Sequence, residues 1–386
     1  VAVTRRKTKQ RLWIALIVLL CLLAPLLLLA AVLPEDRLDA LYHSYNGGGV
    51  EVDGPSIIWR KKFGSYSSIS ANYYVDAISS ASIDAVTTAS PYKETRTEKS
   101  IGGDFLLNTA IMSLGYTTSV ENDFDAKTAS FNLSQDVFGD LTTVSLGYVR
   151  GWNQIGKNGD PQFSETANRQ SYSIGVSQIL TRNMIAALNF ETVTDEGFLN
   201  NPYRSVRYLD SGSASGYSYE PEVYPRTHTS NALSLRTRYY LPYRASLLGE
   251  YRYFTDSWGV RANNIALGYS HPYHKNWIFD VRYRYYTQND ADFYSDLFPN
   301  RQAQNFLARD KELSRFNNHT LGLSVSYEIT PKDWGFIDRG SVNLSYDHIM
   351  FKYKNFRDLT VGGTVGQEPL YGFDADVLQL YLSLWY

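Results

Sequence analysis

The run Asp376-Val377-Leu378-Gln379-Leu380-Tyr381-Leu382-Ser383-Leu384-Trp385-Tyr386 decides the fold. Leu378, Leu380, Leu382, Leu384 and Tyr386 occupy every second position, with polar or aromatic residues between them. A period of two places all four leucines on one face of a strand. An unbroken oily face that ends on an aromatic ring is what the barrel-assembly machinery of bacterial outer membranes recognises. Only helices and closed barrels satisfy every backbone group in lipid. The alternative is the edge strand of a soluble sandwich, and the rest of the chain argues against it.

The same alternation recurs upstream. Ile69, Ala71, Tyr73 and Val75 alternate with Ser70, Asn72, Tyr74 and Asp76. Met112, Leu114 and Tyr116 alternate with Ser113, Gly115 and Thr117, and Val144, Leu146 and Tyr148 with Ser145 and Gly147. Leu321 to Tyr327 and Val342 to Asp347 repeat the rule. One face is apolar and the other is small or polar. In a membrane barrel the apolar face looks outward.

Connections between these segments alternate in length. Short turns are expected near Gly64, Asn108, Gly139, Arg182, Pro242 and Pro272, with a longer one from Pro331 to Arg339. Long connections are expected at Ser79–Thr95, Asn153–Ala167, Gly197–Arg226, Gln288–Ser314 and Tyr353–Ala375, and short outer ones near Asn122 and Ser257. Short periplasmic turns and long outer loops are the asymmetry of an outer-membrane barrel. About fifteen strands are counted in this way. Leu41 to Asn46, turning at Gly47-Gly48-Gly49 into Val50, is the best source of an even number. The expectation is an all-β, antiparallel transmembrane β-barrel of about 16 strands, or 14 as the fallback.

Composition agrees. The chain has 386 residues, 44% hydrophobic and 20% charged, with 31 tyrosines against 3 methionines. Mean hydropathy is -0.31, which excludes a protein built mainly of membrane helices. Tyrosine suits the interface between apolar and wet surroundings. A net charge of -2 gives no argument for nucleic-acid binding. The one cysteine, Cys21, excludes an internal disulfide and a cysteine metal site.

Cys21 lies in an apolar run, Leu12 to Leu33, that follows Arg5, Arg6, Lys7, Lys9 and Arg11. Residues 1–31 read as a secretory signal peptide cleaved near Ala31, with an uncleaved anchor as the rival. Residues 32–47 are expected as an N-terminal periplasmic or plug segment, and 48–386 as the barrel. The localisation implied is the outer membrane of a Gram-negative bacterium.

The most specific constellation of charge lies between Ser230 and Gln288. Arg236, Arg238, Arg252, Arg282 and Arg284 share the polar strand faces with Glu250 and Asp280. The opposite faces carry Leu233, Leu235, Leu247, Tyr251, Trp277, Phe279, Val281 and Tyr283. A charge facing lipid at mid-depth costs about 2–4 kcal/mol, so these arginines should point into the lumen. Two readings follow. One is a structural ladder of ion pairs, or a docking face for a loop or plug. The other is a basic constriction that favours anions.

No enzyme, cofactor or metal is expected. None of the six histidines falls in a metal-binding pattern. His228 with Ser230 and His348 beside Asp347 are formal catalytic candidates, but neighbours on a strand point to opposite faces, which excludes the second. The loop acids Glu121, Asp123 and Asp125, then Glu220 and Glu222, then Asp290, Asp292 and Asp296 lack the glycine and distal glutamate of a calcium loop. They are expected to be solvated, with weak calcium binding, or bridging to lipopolysaccharide through divalent ions, as the sharper reading.

Several segments carry a resemblance: Gly48-Gly49-Val50 through Gly54-Pro55-Ser56, Ser70 to Asp76, Ser80 to Asp84, Ala89 to Tyr92, Asn201-Pro202-Tyr203-Arg204, Tyr239 to Arg244, and Ala308 to Ser314. In these the chain resembles an uncharacterised family of proteobacterial outer-membrane barrels, a domain of unknown function. The resemblance implies a membrane barrel and no assigned activity. It also implies genomic neighbours that include a small lipoprotein, a thioredoxin-like protein and a flavin transferase.

The sequence thus points to a channel or transporter for small polar, possibly anionic, solutes. The alternative is a barrel scaffold or sleeve for a lipoprotein or a redox- or flavin-handling envelope partner. Tyr217, Tyr219 and Tyr224 in the loop Gly197–Arg226 are the expected partner surface. The partners expected in either case are outer-membrane lipid and lipopolysaccharide, the barrel-assembly machinery, and a lipoprotein or periplasmic protein.

Overall fold

The computed structural model describes residues 31–80, 92–330 and 335–386. The signal-peptide segment lies outside these up to residue 30, as do most of the Ser79–Thr95 connection and part of Pro331–Arg339. The strands are β1 (Arg37–Gly47), β2 (Val50–Phe63), β3 (Ser67–Ser80), β4 (Tyr92–Leu107), β5 (Ala110–Val120), β6 (Phe124–Val137), β7 (Thr142–Ile155), β8 (Glu165–Thr181), β9 (Met184–Gly197), β10 (Ser205–Leu209), β11 (Tyr217–Pro221), β12 (Thr227–Tyr240), β13 (Ser246–Asp256), β14 (Arg261–Tyr273), β15 (Trp277–Gln288), β16 (Phe316–Ile329), β17 (Arg339–Arg357) and β18 (Leu370–Trp385). Sixteen of them close one antiparallel barrel, in which each strand pairs with its neighbour in sequence and β9 pairs with β12. β10 and β11 form a separate two-stranded ribbon inside the connection from β9 to β12.

The barrel strands run from 11 to 19 residues. About 9–11 tilted residues suffice to cross a bilayer, so every strand is long enough. No helix among the described residues is long and apolar enough to cross a membrane; the chain crosses with strands. Closure leaves no wall edge with unpaired N–H and C=O groups, the condition that hydrocarbon imposes.

The seam is made by β1 and β18, paired from Arg37↔Trp385 to Gly47↔Ala375. This corrects the assignment of 32–47 to the periplasm or a plug. From Arg37 onward the segment is barrel wall, and it supplies the sixteenth strand sought at Leu41 to Asn46. Its period is blurred because Leu41 and Tyr45 face the lumen while Leu38 and Tyr42 face out. The turn into β2 is a two-residue hairpin at Gly48 and Gly49, with φ of +58° and +77°. Such turns need positive φ at both positions, which glycine meets without strain.

The apolar faces look outward. Leu378, Leu380 and Leu382 are 41% to 47% exposed, and Leu233, Leu235, Leu321, Leu323 and Leu344 are exposed in the same way. Aromatic residues bound this band on both sides. Tyr116, Tyr172, Tyr251, Tyr283 and Tyr346 stand toward the long loops, and Trp59, Tyr239, Trp277 and Tyr327 toward the short turns. These are the two girdles of a transmembrane barrel.

Candidate functional site: the lumen wall and the folded mouth

Strand parity places all five arginines on the inner face. Arg236 and Glu250 are direct partners of β12 and β13 and lie 2.7 Å apart. Arg252 reaches Glu191 of β9 at 3.5 Å. Arg282 of β15 holds Asp347 of β17 through Nη2, at 2.7 and 2.8 Å to its two oxygens. Among the described residues Asp280 meets no arginine and accepts instead from the Ser270 hydroxyl. Arg238 and Arg284 make no ion pair among the described residues, and the Arg284 Nε is buried without a partner. Glu191 and Asp347 are the charges that the local reading missed. Both sit on the polar parity of their strands, and that was the signal that would have found them. With them the five arginines face four carboxylates, which leaves an excess of one in place of three.

Several of these pairs span an intervening strand, and a small residue makes this possible. In register, Arg282 lies opposite Gly322, which lies opposite Asp347. A Cβ at Gly322 would overlap Asp347 Oδ1 and stand 3.3 Å from Arg282 Nε. The same device recurs across the seam, about a quarter of the way round the barrel. His43 of β1 faces Gly54 of β2, and its Nε2 lies 2.7 Å from Asp76 of β3, which also takes Arg96 Nη2 at 2.7 Å. Tyr74 stacks on His43 at 5.0 Å.

Above this wall the long loops turn inward. Tyr286, Phe316, Phe351, Tyr353 and Phe373 share the lumen parity of their strands, and they meet Ala291, Phe293, Tyr294 and Ala308 of the β15–β16 connection in one apolar core. Tyr224 and Trp258 join it from the β9–β12 and β13–β14 connections. A smaller core of Val206, Phe298 and Leu307 lies beside it. Short backbone bridges, Tyr208↔Phe298 and Val223↔Leu307, tie the connections together.

The polar centre of this mouth is Arg207, which is wholly buried. It gives Nη1 to Glu368 at 2.6 Å, Nη2 to Asp296 at 2.5 Å and Nε to the Asp296 carbonyl at 2.9 Å. Arg309 takes the other oxygen of Asp296 at 3.0 Å and lies 4.5 Å over the Phe356 ring. Three separate connections thus meet on one arginine. Burial opposes charge on both partners, but the contacts outweigh it: Arg207 is held above its ordinary range and Glu368 below its own.

Two of the acids expected to be solvated are internal, while Asp125 and Asp292 are exposed. Glu220 and Glu222 are 7% and 3% exposed. Glu220 accepts from the Gln302 backbone, and Glu222 from the Arg309 backbone and the Tyr224 hydroxyl. Asp290 pairs with Arg315. Tyr224, expected at a partner surface, is core instead, while Tyr219 stays 40% exposed. Glu94, Glu121 and Asp123 stand close enough to share a cation. Asp123 already accepts from Tyr203, whose hydroxyl burial and this carboxylate push up to about 12.

His228 turns to Asp256 at 2.9 Å and Asp195 at 3.5 Å, and packs on Trp258 at 4.2 Å. His348 faces outward to Asp376 at 2.8 Å while Asp347 faces inward, as strand parity requires.

An apolar outer band between aromatic girdles, a charged inner wall and an even strand count define an outer-membrane β-barrel of the Gram-negative envelope. The sequence profile of the family described as Protein of unknown function (DUF3570) matches residues 151–378, and the chain belongs to that family. No curated protein matches it by sequence. Among solved structures it is similar to a bacterial polysaccharide outer membrane secretin, at 10% identity and a TM-score of 0.51, with 91% of this chain and 98% of that chain covered. It is also similar to OpdK of Pseudomonas aeruginosa (8% identity, TM-score 0.43, 91% and 99% covered). OmpT of Vibrio cholerae gives 8% identity and a TM-score of 0.43, with 92% and 100% covered. At these identities the first likeness shows a shared fold.

Proposed function

We propose that the protein is a channel or transporter for small polar solutes, with the inward-folded loops setting its aperture. The observation that carries this reading is the wetness of the inner wall. The side chains of Arg236, Arg282 and Arg252 are 62%, 49% and 40% exposed, although all three face the lumen. Ions held at a dry wall would be far less accessible. Barrels of about 16 strands are wide enough to hold water. The near balance of charge on the wall supports weak selectivity, with Arg238 and Arg284 supplying the anionic preference.

Planar-bilayer recording of the purified barrel tests this. Discrete conductance steps are expected from the protein alone. A silent barrel that co-purifies with a lipoprotein or redox partner would overturn the channel in favour of a sleeve.

A further inference from the structure

Cations stand on the lipid-facing side of one arc of the wall, where an apolar band would exclude them. Lys99 of β4 lies in register with Thr118 of β5, which pairs with Lys127 of β6, which pairs with Trp152 of β7. Arg150 sits two residues below Trp152, opposite Ala129. All share the parity of outward Ile101, Leu114, Phe131 and Leu146, so they face away from the lumen. Lys99 and Lys127 flank a single strand and are about 10 Å apart at the backbone. The Arg150 guanidinium lies 5.8 Å over the Trp152 ring, which is itself 43% exposed.

Their level is defined by the strands. β4 descends from the outer rim, so Lys99 comes before Ile101 and Phe105. β5 and β7 ascend, so Thr118 and Arg150 follow Tyr116 and Tyr148. The cluster therefore lies just beyond the outer aromatic girdle, at headgroup depth of the outer leaflet. None of the three cations makes an ion pair among the described residues. One acid, Asp125, shares the face, two residues beyond Lys127. Beyond Tyr346 and Leu378 on β17 and β18 the outward residues include His348, Lys352, Asp374 and Asp376, so the cation there stands among acids, unlike the cluster on β4–β7.

We propose that this patch binds the phosphates of a phosphorylated glycolipid of the outer leaflet, the lipid A portion of lipopolysaccharide. Charge complementarity argues for it: lipid A carries two phosphates across a disaccharide, and Lys99 and Lys127–Arg150 present cations on either side of β5. Below the cations the rings of Tyr148 and Tyr172, 5.1 Å apart, suit the boundary between sugar and acyl chain, and the exposed Trp152 lies above Arg150. The site lies on the outside of the wall and is independent of any passage through the lumen.

The test uses the purified full chain in detergent and measures binding of lipid A, dephosphorylated lipid A, phosphatidylglycerol and inorganic phosphate. Lipid A is expected to bind, and the other three only weakly. The triple variant Lys99→Gln, Lys127→Gln, Arg150→Gln should bind lipid A roughly a hundredfold more weakly, from a factor of ~5 per cation removed near a charged surface. Lys352→Gln, an outward cation on β17, should bind as the parent does, and circular dichroism establishes that each variant is folded. If the triple variant misfolds, Lys127→Gln alone should still weaken binding severalfold. Undiminished binding by folded variants, or equal binding of phosphatidylglycerol or inorganic phosphate, would overturn the proposal.

Discussion

Arg282 and Asp347 are ion-paired across a strand that belongs to neither of them, because Gly322 between them has no side chain to hold them apart. The pair takes a positive charge out of the field that a permeating ion would meet. Asp347→Asn should therefore move the reversal potential toward anions under a salt gradient. The double change Arg236→Glu with Arg282→Glu should move it toward cations. Identical reversal potentials in all three proteins would remove these residues from the conduction path.

Filling the gap separates geometry from charge. Gly322→Val should part Arg282 from Asp347 without altering net charge, and shift selectivity in the same direction as Asp347→Asn. Selectivity equal to the parent would mean that the pair re-forms around the added methyl groups.

Arg207→Met leaves Asp296 and Glu368 buried without their shared cation. Breaking a buried pair on one side costs about 3–5 kcal/mol. The loss should fall on the mouth rather than on the wall. Hydrogen exchange should quicken in Ser205–Pro221 and in 289–315 while β4 to β8 keep their protection. Uniform loss of protection would show instead that mouth and wall unfold together.

The same contact sets a pH dependence. Burial disfavours the Glu368 carboxylate, but the hydrogen bond and charge of Arg207 prevail and its folded value lies below the ordinary one. Its contribution is complete above the unfolded value of about 4.5 and is lost as pH falls through the folded one. Conductance should be steady from neutrality down to about pH 5 and become noisier or larger in stronger acid, reversibly. In Arg207→Met this acid transition should be missing.

At the first hairpin, Gly49→Val forces a branched residue to φ near +77°. The strain is about 1–3 kcal/mol. Refolding yield, read from the heat-modifiable gel mobility of the folded barrel, should drop, whereas Gly159→Ala in the β7–β8 loop should matter less. Equal yields would show that the turn tolerates the side chain.

The wall was legible because lipid imposes a period of two over whole strands, and Leu321 to Tyr327 or Leu378 to Leu384 cannot hide it. β1 was half visible, since Leu41 and Tyr45 turn apolar groups to the lumen and break the alternation. The inward direction of the arginines followed from the cost of charge in hydrocarbon. Their partners did not follow, because Asp347 is 65 residues from Arg282 and no local spacing joins them. The mouth was hidden for the same reason. Arg207 meets Asp296 and Glu368 at separations of 89 and 161 residues. Acids spaced by two, such as Glu220 and Glu222, look the same in a solvated loop and in a buried one.

Pairing Arg37 with Trp385 joins residues from opposite extremes of the polypeptide, and no hairpin turn brings them together. Every other wall contact lies between consecutive strands or across one folded connection. This last zipper has the largest loop to close and forms only after the intervening staves stand side by side. Until then two raw borders, β1 and β18, remain open to the wrong neighbour. A cell that makes this cylinder must shelter both borders through the slowest moment of its birth.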